Sequence, residues 1–329
     1  MKILVLGTLH TKEKDREMER DELKSVQYIT ENRSTHFEQL SMIGGKGVVS
    51  LEVDADKKQA YLSTDEQIYH YSYENGLTAV KQHNWSDVHE VTMCKNKVYV
   101  PNTGRDEVVV ISQDNGKVQD IVDLSEYRTN SLTIGERREK QTDTFHIAQV
   151  YQRSDGQMFG LVHHCSGVQI KKMLPNRIVK NQGSGGMINI DTGKSYDLGL
   201  KAPHSAIEVE DKIVIFDSAN FKARVYDKRW GEVKSFDTSG FGRGADLNER
   251  TGMIYAGMSK ARKRYLKYMP VDACGKNQID VIDTDRFDIV RSIRVTNVEQ
   301  ISNVYSVSSD ELEVVSSMNN YLAYEKNKA

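Results

Sequence analysis

The segment APHSAIEVEDKIVIFDSANFKARVYD, residues 202–227, contains the pattern that decides the fold. It opens with the polar motif Pro203-His204-Ser205. Three short apolar runs follow, separated at Glu210-Asp211 and at Asp217-Ser218, and the last run ends at Asp227. Runs of Val, Ile, Phe and Tyr bounded by Asp, Ser and Asn are typical of short strands joined by turns. The segment therefore predicts a meander of antiparallel strands that begins at a polar motif.

The same order of polar motif, strand, turn and further strands recurs along the chain. Copies begin near residues 89, 146, 204 and 243, and weaker ones near 46 and 301, so that successive starts are 43, 57, 58, 39 and 58 residues apart. The shorter separations match a four-stranded blade, and the longer ones indicate insertions. Six units predict an all-β, six-bladed β-propeller, with a β-sandwich as the alternative.

The amino-terminal region departs from this pattern. Residues 2–6 form an apolar run, which we expect to pair as a strand into the last blade and to remove an exposed edge there. Residues 12–30 are dense in charged residues and contain neither Gly nor Pro, which predicts a helix. The predicted organisation is a single β-propeller domain over residues 1–329, with a charged helical or loop excursion at residues 7–45.

Composition narrows the function classes. The 329 residues include 45 Lys and Arg against 47 Asp and Glu, and this balance provides no general attraction to nucleic acid or to an anionic membrane. Three widely spaced cysteines exclude a disulfide scaffold. The apolar run at residues 3–6 is too short for a signal-peptide core or a membrane span. We expect a cytoplasmic protein that binds neither nucleic acid nor a membrane.

Histidine or arginine stands at the start of the first strand in four of the units: His89, His146, His204 and Arg243. In a propeller the starts of the inner strands meet at one mouth of the central channel, so these side chains are predicted to converge. His89, His146 and His204 would hold a divalent transition metal, Zn, Mn, Fe or Ni, because neutral imidazole suits these ions. Two alternatives stay open: direct contact with a ligand, and structural hydrogen bonds to a neighbouring blade.

The end of the second strand in each unit should lie beside the same mouth, because a hairpin returns to its starting rim. Asn102, His163 and His164, Asp217 and Ser259 occupy these ends, and Asn102 and Asp217 each follow their histidine by thirteen residues. We predict His163 or His164 as the acid or base. Arg243, with Lys260 or Arg262, would bind a substrate carboxylate or phosphate. Asn102 is predicted either to bind the substrate or to orient an imidazole. Asp217, Ser259 and Glu299 are predicted to support the residues of the site.

Several polar motifs are spaced along roughly residues 85–308. They are Val88-His89 with Asn102-Thr103, Phe145-His146, Pro203-His204-Ser205 with Asp217-Ser218, Gly240-Phe241-Gly242-Arg243-Gly244, Gly257-Met258-Ser259-Lys260-Ala261-Arg262, Cys274-Gly275 and Glu299-Gln300-Ile301-Ser302-Asn303-Val304. Together these motifs resemble a largely uncharacterised bacterial family of propeller-like proteins of unknown function. The resemblance leaves residues 1–45 outside it. It implies that these polar rim residues belong together, and it does not indicate a reaction.

The functional hypothesis from the sequence is a metal-assisted lyase, epimerase or hydrolase in carbohydrate metabolism. Its substrate would be a small anionic molecule such as a sugar acid or a nucleotide-linked sugar, bound at the channel mouth. The first alternative is a non-catalytic binding module for a glycan, a peptide or a protein partner. The second is a structural propeller that docks a partner through the predicted helix at residues 12–30.

Overall fold

The computed structural model describes residues 1–10, 16–31, 33–128, 143–167, 183–260 and 276–328. Within these ranges the chain forms six four-stranded antiparallel sheets, and the six-bladed β-propeller predicted from the sequence is confirmed. Contacts along the chain divide it into two compact units. Unit 1 comprises Met1–His83 with Phe236–Ala329, and unit 2 comprises Asn84–Ser235.

The strands follow one another in meanders, as the repeated pattern predicts. In chain order they are β1 (Lys2–Thr8), β2 (Val26–Thr30), β3 (Ser34–His36), β4 (Ser50–Asp54), β5 (Gln59–Ser63), β6 (Ile68–Ser72), β7 (Gly76–Ala79), β8 (Thr92–Cys94), β9 (Lys97–Asn102), β10 (Glu107–Ser112), β11 (Val118–Asp123), β12 (Ile147–Gln152), β13 (Met158–Val162), β14 (Gly185–Asn189), β15 (Ser195–Leu200), β16 (Pro203–Val209), β17 (Lys212–Asp217), β18 (Lys222–Asp227), β19 (Glu232–Asp237), β20 (Phe241–Asn248), β21 (Met253–Ser259), β22 (Gln278–Asp283), β23 (Asp288–Arg294) and β24 (Gln300–Ser306).

Two α-helices are described, α1 (Glu38–Ser41) and α2 (Ser309–Lys328), together with short 3-10 turns. Among the described residues, no helix combines the length and the apolar character needed to cross a membrane.

Unit 1 contains the sheet that joins the two ends of the chain. Its strand order is β24-β1-β2-β3, so that β1 pairs antiparallel with β24 on one side and with β2 on the other. The expected pairing of the amino-terminal strand into the last blade is therefore confirmed. Because β1 has a partner on each side, both of its edges are hydrogen-bonded and it presents no open edge to a second chain. The other sheets of unit 1 are β4-β5-β6-β7 and β20-β21-β22-β23.

The helix predicted over residues 12–30 is wrong wherever the structure describes it. Residues 16–25 form turns and loop, and residues 26–30 are strand β2. Val26 and Ile29 are buried against the sheet, and this burial overrides the helix propensity of the charged residues that precede them. Carboxylate oxygens of Glu299 accept N–H groups from His10, Glu17 and Met18, which ties these residues to the segment directly before β24. The short α1 is the helical part of residues 7–45 that the structure describes.

The carboxyl-terminal helix α2 was not predicted from the sequence. It begins at a capping box: the Glu311 N–H donates to Ser308 Oγ (3.1 Å), and the Ser308 N–H donates to Glu311 Oε2 (2.7 Å). Its buried residues Val314, Val315 and Met318 join the apolar cluster of the β4–β7 sheet. Packing on that sheet, in addition to the cap, stabilises α2.

Unit 2 contains the sheets built from β8 to β19, and each is a continuous meander. Phe145, Ile147 and Val162 belong to one buried cluster, and Phe159 and Ile215 belong to a second. Apolar residues of the first cluster thus lie directly beside His146 and His163 in the chain. The rigid apolar layers position the polar ends of these strands.

Candidate functional site

Five imidazoles lie together in unit 2. The ring centroids of His89 and His146 are 5.1 Å apart, those of His146 and His163 are 4.2 Å apart, and those of His163 and His204 are 5.3 Å apart. The His164 ring lies 6.5 Å from that of His163. The structure therefore brings together histidines that are far apart along the chain. We call His89, His146, His163, His164 and His204 the imidazole cluster.

Strand register explains how two of these histidines are placed. Val88 lies opposite Asn102, and Pro203 lies opposite Asp217, so His89 and His204 each follow the residue that faces a strand end. The extra residue of a β-bulge, Ser205, comes directly after His204. The equivalent bulge in unit 1 is at Gly244, directly after Arg243. Arg243 and His204 therefore share one register position in their blades.

His146 reaches the cluster by a different route. The bulge in its strand is at Ala148, so Ile147 takes the register position that His204 has in β16, and His146 lies one residue earlier. His146 compensates with a positive φ of 51°, which is uncommon for a residue with a β-carbon. The predicted equivalence of the three histidines is thus only approximate in backbone register. The imidazoles still meet because the left-handed backbone at His146 turns its side chain.

Asp87, His89 and His146 form the group most suited to a metal ion among the described residues. One ligand atom from each lies within 4.8 Å of those of the other two. Asp87 Oδ2 is 3.7 Å from His89 Nε2. Two imidazoles and one carboxylate are donors that divalent transition metals accept in proteins, and three protein ligands leave positions open. Asp87 was not predicted, although its place two residues before His89 was a signal.

His204 lies outside this group of three. Its Nδ1 is 3.0 Å from Ala202 O and 3.2 Å from Ser218 Oγ. Because a carbonyl oxygen only accepts, His204 Nδ1 carries the proton and donates it. The His204 ring therefore contacts His163 and the hydroxyl of Ser218, and the role of His204 as a metal ligand stays a prediction.

His163 lies at the centre of the cluster and is held neutral. Its Nε2 is 3.2 Å from Pro203 O, so Nε2–H donates there and Nδ1 is left as an acceptor. The pKa of His163 lies well below its ordinary value, because burial removes water from the ring and because the imidazoles of His146 and His204 lie next to it. A neutral His163 can accept a proton at Nδ1. His164, by contrast, has its Nδ1 3.0 Å from Ser184 Oγ.

Asn102 and Asp217 are fully buried and hold the backbone that leads into two histidines. Asn102 Oδ1 accepts the Ser86 N–H (2.8 Å), and its Nδ2 donates to Asn84 O. Asp217 Oδ1 accepts the Lys201 N–H (2.8 Å), and Arg224 pairs with Oδ2 at 2.7 Å. The predicted supporting role fits both side chains. The contact of Asn102 with a substrate stays a prediction.

A third buried side chain, Asp106, supports the turn that leads into His146. Its carboxylate accepts the Thr144 and Phe145 N–H groups, both at 2.9 Å, and the Thr144 hydroxyl at 2.7 Å. Arg128 Nη2 pairs with it at 2.8 Å. Sequence reasoning missed Asp106, because it lies four residues beyond the strand end that the repeat singled out.

Three polar side chains of unit 2 form a hydrogen-bonded set: Glu90, Gln149 and Ser205. Each comes shortly after a histidine of the imidazole cluster in the sequence. Glu90 Oε1 accepts from Gln149 Nε2 (2.9 Å), and Ser205 Oγ donates to Glu90 Oε2 (3.3 Å). Gln149 Oε1 accepts the Ala206 N–H (2.6 Å). These bonds cross from the segment after His89 to β12 and β16, and so they fix the strands that carry the histidines relative to one another.

The remaining predicted site residues belong to unit 1. The Arg243 guanidinium carbon lies 5.5 Å from the Phe241 ring centroid. Lys260 is about half exposed and has its Nζ 3.6 Å from Glu17 Oε2. Ser259 bonds both backbone groups of Ile301, which ties β21 to β24. Glu299 binds the loop described above, so the described contacts of Ser259 and Glu299 are within the fold. Arg262 lies outside the described residues.

Comparisons with known proteins place the chain by its fold. No protein-family profile matches the sequence, and no curated protein matches it either. One similar solved structure is a nidogen/laminin complex chain at 9% identity and a TM-score of 0.58, covering 92% of this chain and 97% of that chain.

Two further structures are similar in fold. A protein of unknown function from Bacteroides caccae has 10% identity and a TM-score of 0.54, with 92% of this chain and 97% of that one covered. A luciferin-regenerating enzyme has 12% identity and a TM-score of 0.51, with 78% of each chain covered. At such identities these likenesses support the propeller fold alone. The resemblance to an uncharacterised propeller family is supported only as far as that fold.

Proposed function

We propose that the protein is a metal-assisted enzyme whose reaction takes place at the imidazole cluster. The observation that carries this proposal is the approach of ligand atoms from Asp87, His89 and His146 to within 4.8 Å, with the His163 ring 4.2 Å from that of His146. A structural role would need only one hydrogen bond per imidazole. It would not require ligand-bearing side chains from two blades to converge.

The chemistry of the cluster favours proton transfer. A divalent transition metal held by Asp87, His89 and His146 would acidify bound water or polarise a substrate oxygen. His163 is neutral and bonded at Nε2 to Pro203 O, so its Nδ1 is the atom that would accept or return a proton. His164 is the second candidate for this role. Lyase, epimerase and hydrolase reactions all use this combination.

The proposed substrate is a small anion, such as a sugar acid or a nucleotide-linked sugar. The acidic side chains Asp87 and Glu90 would repel an anion from the unloaded cluster, so bound metal would be needed to attract it. Arg243, with Lys260 or Arg262, stays the prediction from the sequence for the groups that bind a carboxylate or phosphate, since a planar guanidinium suits either one.

Metal analysis of purified protein tests the proposal. We expect one equivalent of a transition metal after reconstitution, and its loss in His89→Ala and in His146→Ala with the fold retained by circular dichroism. His36→Ala is the matched control, because His36 is an exposed histidine on β3 of unit 1. No stoichiometric metal in wild-type protein would refute the metal-assisted enzyme and leave the non-catalytic binding module.

A further inference from the structure

We infer that Asp143 is a positioning residue for His146, which it holds as the Nδ1–H tautomer so that Nε2 is the nitrogen that binds metal. The inference rests on the proposed function as far as the metal is concerned. The tautomer itself is a property of the chain alone. Asp143 matches none of the residues singled out in the repeat, and it lies three residues before His146.

The hydrogen-bond geometry assigns the tautomer. Asp143 Oδ1 lies 2.7 Å from His146 Nδ1, which is short for an N–H···O bond and typical of a charge-assisted one. An ionised carboxylate only accepts, so the proton between them belongs to Nδ1. In neutral His146 the other nitrogen, Nε2, then has a free lone pair. In metal-binding histidines the N–H group of the second ring nitrogen usually donates a hydrogen bond, often to a carboxylate as here. This bond fixes the ring orientation and makes the ligand nitrogen more basic.

The backbone between the two side chains is built to keep this bond. Asp143 and His146 both have positive φ, 57° and 51°. Such conformations are unfavourable for residues with a β-carbon, and they persist only where the surroundings hold them. Asp106 supplies that hold, because its buried carboxylate binds the two intervening residues, Thr144 and Phe145. Because Asp106 holds this turn at its centre, the distance from Asp143 to the His146 ring is set without a bound ligand.

Among the described residues, the other histidine in the group of three, His89, has no carboxylate at hydrogen-bond distance from its ring. Asp87 lies 3.7 Å from His89 Nε2, which is beyond a hydrogen bond, and Asp87 is itself a candidate ligand. Asp143 therefore has a role distinct from that of Asp87. Asp87 would bind the ion directly, and Asp143 orients the His146 ring through its bond to Nδ1.

Nitrogen NMR on metal-free protein labelled with ¹⁵N-histidine tests the tautomer directly. In mildly alkaline buffer we expect His146 to show a protonated Nδ1 and an unprotonated Nε2. Asp143→Ala should shift the population towards Nε2–H. Asp143→Asn should retain Nδ1–H, since the amide oxygen still accepts. The His146→Ala spectrum assigns the signals, and Asp211→Ala, at an exposed carboxylate, is the control.

Zn²⁺ titration of the same variants supplies the second readout. We expect Asp143→Ala to weaken Zn²⁺ binding about 10- to 100-fold, and Asp143→Asn to weaken it less. An Nε2–H signal for His146 in the wild-type protein, or a tautomer indifferent to Asp143→Ala, would overturn the inference. A fixed Nδ1–H tautomer in protein that binds no Zn²⁺ would uphold the orienting contact and refute the proposed function instead.

Discussion

Replacement of Asp106 by alanine should uncouple the turn at residues 143–146 from the fold. Asp106 is fully buried and accepts four hydrogen bonds, from Thr144 N and Oγ1, Phe145 N and Arg128 Nη2. Removal of one partner of a buried ion pair costs about 3–5 kcal/mol. The Arg128 side chain is 21% exposed and can recover some hydration, so we expect the lower end of the range, about 3 kcal/mol.

The same substitution should weaken metal binding. Without Asp106 the N–H groups of Thr144 and Phe145 lose their acceptor, which loosens the turn between Asp143 and His146, and a ligand displaced from its position loses affinity. We expect at least about a 10-fold weaker Zn²⁺ affinity. Unfolding in urea, followed by circular dichroism, measures the first effect, and calorimetric titration measures the second.

Asp217→Ala provides the matched control for Asp106→Ala. Asp217 is also fully buried, and its partner Arg224 is 23% exposed, so the loss of stability should be about equal. Asp217 holds the segment before His204, which is outside the proposed ligand set, so Zn²⁺ affinity should be unchanged. Equal loss of Zn²⁺ affinity in both variants, or wild-type affinity in Asp106→Ala, would refute the reasoning.

Two further predictions concern unit 1. A β-carbon at Gly244 would lie 2.3 Å from Asn303 Cα, so Gly244→Ala should lower the free energy of unfolding in urea by about 1–3 kcal/mol. The control is Gly45→Ala, which should change this free energy little, because a β-carbon there would have no atom within 4 Å. Burial raises the pKa of Asp246 from 3.8 to about 6, so between these pH values the folded state holds a proton that the unfolded state has lost. The stability that Asp246 contributes therefore falls as pH rises through this range, by up to about 3 kcal/mol. Asp246→Asn should abolish that fall between about pH 4 and pH 7, and an unchanged fall would contradict the assignment.

The β-propeller could be predicted because its strand pattern recurs along the sequence. Each copy of the polar motif, strand and turn is weak alone, but six copies at blade-like spacing specify the sheets. The failures lie where the repeat stops. Charged residues before Val26 indicated a helix, and the structure has turns and β2 there. The capping box at Ser308 and Glu311 is a sequence signal for the start of α2 that the strand pattern does not contain.

The candidate site was predicted in its imidazoles and missed in its carboxylates. His89, His146 and His204 could be found because they recur at the starts of strands. Asp87 and Asp143 precede their histidines by different distances, two residues and three, and so they show no repeat. Both have positive φ, 49° and 57°, and these local turns depend on the surrounding fold.

The sequence by itself determined the strands, their grouping into blades and the positions at which polar residues would end them, because each of these follows from local alternation and turn chemistry. Tertiary structure alone decided which side chains meet. Long-range register places His163 between His146 and His204, and a one-residue offset at Ile147 gives His146 its left-handed backbone. Distances of a few ångströms decide whether a carboxylate can bind a metal, support a turn or orient a histidine. Packing between strands that are remote in the chain sets these distances.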